Sequence, residues 1–110
     1  MDQSDPASVE RGFAEALQHL GQIDVLINNA GTGELGAVED STQEGARQLF
    51  EVNYFSAVQL TRLCLPGMRE RKSGAILQLG SIVFSLQFPF KAQYCASKAA
   101  LSAFTLSLRH

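Results

Sequence analysis

Tyr94 and Lys98 stand four residues apart in AQYCASKAALSAF, Ala92 to Phe104, a stretch otherwise built of small and apolar side chains. Positions i and i+4 of a helix share a face, so a phenol and an ammonium placed there can reach a common point. A free tyrosine has a pKa of ~10, and only about one molecule in a thousand is phenolate at pH 7. A general acid or base works best closer to the working pH, and an ammonium one turn away favours the phenolate. Such a pair is suited to passing a proton to and from a substrate oxygen. An exposed helix could carry the same spacing as an ordinary amphipathic contact. The small neighbours Ala96, Ser97, Ala99 and Ala100 argue for a face that something else approaches closely.

Three other positions add weight. NNAG, Asn28 to Gly31, follows directly on the apolar run IDVLIN. In an open parallel sheet, ligands lie in the crevice outside the carboxyl ends of the strands. Ser81 ends a second apolar run and is expected to face that same crevice. Asn53, in FEVNYF, sits inside a long helical pattern where an amide competes for backbone hydrogen bonds. It marks either a kink or a functional group.

The elements that must position these residues follow from pattern. Asp5 and Pro6 suit the cap and first position of a helix. Val9, Phe13, Leu17 and Leu20 then recur at helical spacing until Gly21 closes it. Ile23 to Asn28 is too short for a helix and reads as a strand buried on both faces. The Gly-rich segment through Asp40 is a loop, and Ser41 or Thr42 caps the next helix. That helix is expected from about Thr42 to Arg71, with an interruption at Pro66-Gly67. A turn at Ser73-Gly74 leads to a second strand containing Ala75, Ile76, Leu77 and Leu79. An apolar-rich loop follows, and a last helix begins at Ala92. Helix, strand, helix, strand, helix implies a parallel α/β sheet with right-handed crossovers.

Composition sets the bounds. The 110 residues carry a formal net charge of -2 and show no basic patch for nucleic acid. No apolar run approaches the ~20 residues that span a bilayer. Met1 to Glu10 lacks the features of a signal peptide. Cys64 and Cys95 form no CxxC, and His19 and His110 are isolated, so no metal site is expected. Cys95 reads as a small packing residue. The expectation is a reduced, cytoplasmic protein without a membrane span.

Together the motifs resemble the short-chain dehydrogenases/reductases, in the single-domain branch with a Tyr-x-x-x-Lys site. The resemblance rests on NNAG at 28–31, VN at 52–53, GS at 80–81 and YCASK at 94–98. The intervals match as well: 25 residues from Asn28 to Asn53, 28 to Ser81 and 13 more to Tyr94. The resemblance implies a Rossmann-like, doubly wound parallel sheet and an NAD(P)(H)-dependent oxidoreductase interconverting a carbonyl and an alcohol. Tyr94 would be the general acid/base, and Lys98 would tune it and bind the nicotinamide ribose. Ser81 would polarise the substrate oxygen, and Asn53 would support a proton relay. Asn28, Asn29, Ala30 and Gly31 would line the adenosine side of the cofactor, with Asp2 at the adenine. NADP(H) is the family-level expectation, although NAD(H) stays open. A dimer or tetramer is implied, associating through the long helix after Thr42 and the helix carrying Tyr94.

Neither the family's Gly-rich pyrophosphate loop nor its last strands are found within these residues. The chain is therefore expected to be the central part of a longer reductase, catalytically silent by itself. Val83, Phe84, Leu86, Phe88, Pro89 and Phe90 form an apolar stretch between Ser81 and Tyr94. It suits a lipophilic substrate of steroid, retinoid or acyl type, although packing under a lid would explain it nearly as well. Two further classes remain open: a non-catalytic relative serving as a binding or oligomerisation module, and an extended-branch epimerase or dehydratase.

Overall fold

The computed structural model describes residues 1–80 and 88–109. Ser81, Val83, Phe84 and Leu86 lie outside the described residues. Helix α1 spans Pro6–Leu20 and strand β1 Val25–Asn28. A 3-10 turn at Val38–Asp40 leads to α2, Gln43–Phe50. A π-helical turn at Glu51–Phe55 joins α2 to α3, Ser56–Arg71. Strand β2 covers Ala75–Gln78 and α4 covers Ala92–Leu108.

Local chemistry accounts for most of these ends. The Asp5 side chain accepts the Ala7 N–H at 3.1 Å, and Pro6 spends no donor at a position where none is needed. Of the two candidate caps, Thr42 closes α2, its Oγ1 accepting from Gly45 N at 2.9 Å. Gly21 ends α1 at φ 78°. Gly74, at φ 155°, passes so close over Met68 that any side-chain carbon there would collide with it. That close approach puts the buried Met68 beneath the turn into β2.

The expected break at Pro66-Gly67 is absent, because α3 runs through Pro66. The carbonyl that a residue-66 N–H would have bound belongs to Arg62, an exposed residue, so water can serve it. The helical rod is interrupted earlier, at Glu51–Phe55, where the Ser56 N–H reaches back five residues to the Glu51 carbonyl.

The strands pair in parallel, with Val25 opposite Ala75 and Asn28 opposite Gln78. Both are shorter than expected: Ile23 precedes β1, its carbonyl taken by Arg71 Nη2 at 2.7 Å. Leu79 follows β2, its N–H donating to the Asn28 carbonyl at 3.1 Å. Burial on both faces is not found. Val25, Ile27 and Leu77 are each more than half exposed, because no described element covers their side of the sheet. The covered side rests on α3, which packs in turn on α1, while α2 packs on α4. Val9, Ala57, Cys64 and Met68 are buried on the α1–α3 side, but Leu17 and Leu20 at the far end of α1 remain exposed. Among the described residues no helix is long and apolar enough to cross a membrane.

A small polar cluster pins the sheet to α3. Thr61 Oγ1 donates to the Ala57 carbonyl at 2.8 Å and accepts from Gln78 Nε2 at 3.2 Å. It also accepts from Asn28 Nδ2 at 3.4 Å. Thr61 is fully buried. Thr61→Val keeps the shape and strips an acceptor from two partly or fully buried amides. Urea denaturation is expected to record a loss of about 1–3 kcal/mol. A neutral result would mean that water already serves these amides.

Candidate active site

The cleft lies between three pieces of chain: the loop after β1, the segment leaving β2 and the first turns of α4. It encloses about 460 Å³ and is lined by Asn29, Gly31, Gly80, Tyr94 and Lys98, among others. Each wall is fixed by a bond that can be named.

Asn53 does most of this fixing. It is 1% exposed, on the π-turn. Its Oδ1 accepts the Thr32 N–H at 2.7 Å while its Nδ2 donates to the Thr32 carbonyl at 2.7 Å. The side-chain amide thus pairs with one backbone residue as a neighbouring strand would. Nδ2 also donates to Ser97 Oγ at 3.2 Å, and that hydroxyl donates to the Tyr94 carbonyl at 2.8 Å. One buried amide therefore ties the loop after β1 to the helix that carries Tyr94 and Lys98. The sequence left a kink and a functional group as alternatives for Asn53; the π-turn at Glu51–Phe55 answers to the first.

Lys98 is 7% exposed, and its Nζ donates to the Leu79 carbonyl at 3.4 Å. None of the ion pairs among the described residues involves it. A nearly buried ammonium needs polar partners; the hydrogen bond described for it is to that carbonyl, and the Tyr94 ring centroid lies 5.9 Å away. Gly31 faces the same group: a side-chain carbon there would meet Lys98 Nζ at 3.6 Å and Asn53 Oδ1 at 3.5 Å, ordinary contact distances. Tyr94 is half-buried. A second ammonium, Lys91 Nζ, lies 5.5 Å from its ring centroid, so the ring has a cation at each of two approaches.

The other expected residues are distributed around this cleft. Asn29 lines it. Asn28 turns the other way, its amide directed at the Ala57 carbonyl and Thr61 beneath the sheet. Asn28, Asn29 and Ala30 also edge a small recess shared with Gln3. Asp2 borders an adjoining groove along Thr32 to Gly36, which shares Thr32 and Gly33 with the cleft. Its carboxylate accepts from the Ser4 hydroxyl at 2.7 Å and the Ser4 N–H at 2.9 Å, which hold it below the usual carboxylate range. Cys64 sits in the core, where burial pushes its thiol up and leaves it a packing group. Cys95 is likewise free and buried.

Sequence reasoning passed over Thr32, Ser97 and Lys91. Ser97 was visible as a hydroxyl between Tyr94 and Lys98, three residues after the tyrosine, where it can return to the Tyr94 carbonyl. Lys91, three residues before Tyr94, was an equally local signal. Thr32 offers only its backbone, for which no residue type could have given notice.

A parallel α/β layer with a tyrosine–lysine pair at the strand carboxyl ends defines a Rossmann-like nucleotide-binding architecture. The family model described as short chain dehydrogenase matches residues 1–110, and the chain belongs to that family. It is 44% identical over 108 residues to dehydrogenase/reductase SDR family member 7B of Rattus norvegicus, covering 98% of this chain and 33% of that one. Against dehydrogenase/reductase SDR family member 7 of Homo sapiens the identity is 39% over 109 residues, covering 99% and 32%. Among solved structures, a short-chain dehydrogenase from Streptomyces avermitilis superposes with a TM-score of 0.93 at 39% identity, covering 98% of this chain and 40% of that one. A metagenomic short-chain oxidoreductase in complex with NADP gives 0.92 at 29% identity, covering 97% and 49%. The chain thus spans about a third of the length of the curated relatives it matches.

Proposed function

We propose that these residues form the proton-transfer part of an NAD(P)(H)-dependent site that interconverts a carbonyl and an alcohol. The observation that carries this reading is the nearly buried Lys98 ammonium, one turn from Tyr94 and with no carboxylate partner among the described residues. An ammonium in that setting has N–H donors to offer a substrate or cofactor oxygen brought beside it. The cofactor, when bound, supplies or accepts the hydride. The cleft fits such a group, because Gly31 leaves the floor without a side chain and Lys98 offers donors for a sugar hydroxyl. The solved relative in complex with NADP favours the phosphorylated form.

Tyr94 gives its proton to the developing alkoxide in reduction and takes it back in oxidation. Lys98 stabilises the phenolate left behind. Asn53 keeps the loop at Thr32 and the Tyr94 helix at a fixed separation, on which near-attack geometry depends. Ser81 is assigned to the substrate oxygen on the strength of the family motif. Phe88 and Phe90, 42% and 59% exposed just before α4, favour a lipophilic carbonyl over a polyol.

Lys98→Ala tests the assignment in an enzyme of the relatives' full length. Fluorescence titration is expected to show NADPH binding weakened about tenfold, and turnover of an aromatic or aliphatic ketone is expected to fall by ~100-fold or more. Loss of turnover with cofactor affinity unchanged would remove the ribose role. Unchanged turnover would overturn the proposal.

A further inference from the structure

Helix α4 carries the proposed catalytic pair but has no cap of its own. Lys91, the residue before it, offers no side-chain acceptor, and its first turn holds no acidic residue. The N–H groups of a first turn need partners from elsewhere. One of them is supplied across 59 residues: the Gln93 N–H donates to Oε1 of Glu34 at 2.7 Å. Beside it, the Gly36 N–H donates to the Phe90 carbonyl at 2.9 Å. Phe90 holds a left-handed φ of 64°, which a phenylalanine adopts only when its surroundings impose it. The loop from Thr32 to Gly36 thus grips the entry to α4 at two points, and Asn53 grips the same loop at Thr32. Glu34 is half-buried, and its negative charge complements the positive end of the helix dipole. Tyr94 is the residue directly after Gln93.

We propose that Glu34 is a positioning residue for Tyr94, capping α4 from the loop after β1 and fixing how far the phenol reaches into the cleft. The proposal rests on Tyr94 being the proton donor. Asn53 and Glu34 then act from opposite sides, one on the Tyr94 carbonyl through Ser97, the other on the N–H just before it.

The test uses an enzyme of the relatives' full length. Glu34→Ala is expected to lower kcat about tenfold, since small misplacements of a reacting group are costly. The KM for NADPH should change less than twofold, and amide hydrogen exchange at Gln93 should accelerate. Glu34→Gln keeps an oxygen at the same place and should bring back both kcat and slow exchange. Unchanged kcat or unchanged Gln93 exchange in Glu34→Ala overturns the proposal, as does a Glu34→Gln enzyme as impaired as Glu34→Ala. Should Glu34→Ala fail to fold, Glu34→Gln decides: near-normal kcat with a protected Gln93 supports the cap, and loss of either overturns it. Retained turnover in Tyr94→Phe would instead overturn the proton-donor reading. That failure is distinguishable, because exchange at Gln93 does not depend on turnover.

Discussion

In an enzyme of the relatives' full length, the proposed proton-donor role of Tyr94 predicts that Tyr94→Phe reduces carbonyl turnover by about 100- to 10,000-fold, the range that a positioned general acid contributes. The change removes one oxygen and leaves the ring. Lys91 and Lys98 lie 5.5 and 5.9 Å from the ring centroid, and a phenylalanine presents them with a similar face. The backbone is untouched too, since Ser97 bonds the Tyr94 carbonyl rather than its phenol. Cofactor affinity should therefore stay within about twofold in a fluorescence titration, while kcat collapses. A variant that loses affinity and turnover together would assign the phenol to binding. One that keeps its turnover would remove Tyr94 from the chemistry altogether.

Asn53→Leu carries the largest expected loss of stability. The leucine is close in size but can make none of the three bonds that Asn53 makes. The Thr32 N–H and C=O lose partners in a part-buried site, and each unsatisfied group costs roughly 1–3 kcal/mol. Chemical denaturation should report a loss of about 2–4 kcal/mol, with water reaching the outer part of the site. Activity should fall as well, because Thr32 and α4 would no longer be tied. A loss below about 1 kcal/mol would show that the loop holds its place without the amide.

What the sequence made legible is local, and what it hid is distant. Tyr94 and Lys98 could be read as one face because helical spacing decides it within a single turn. Asn53 was conspicuous because an amide mid-helix is out of place, but its partners Thr32 and Ser97 lie 21 and 44 residues away. The π-turn around it contains neither glycine nor proline, so the usual markers of a break pointed to Pro66 instead. Asn28 and Asn29 are adjacent and chemically identical. Only the strand's alternation and the position of α3 decide that the first bonds beneath the sheet and the second lines the cleft. The pairing of Glu34 with Gln93 spans 59 residues and had no sequence signal at all.

The π-turn at Glu51–Phe55 also governs what kinds of genetic change this segment can absorb. An α-helix turns roughly 100° per residue. The widened turn therefore resets the phase between α2, which faces α4, and α3, which faces α1 and β1. Substitutions on either side alter one interface and can be compensated there. Removing a single residue between Gln43 and Arg71 would rotate one half of the rod against the other, so no repacking of one interface could restore both. Apart from Asn53, length in this stretch is under tighter constraint than side-chain identity.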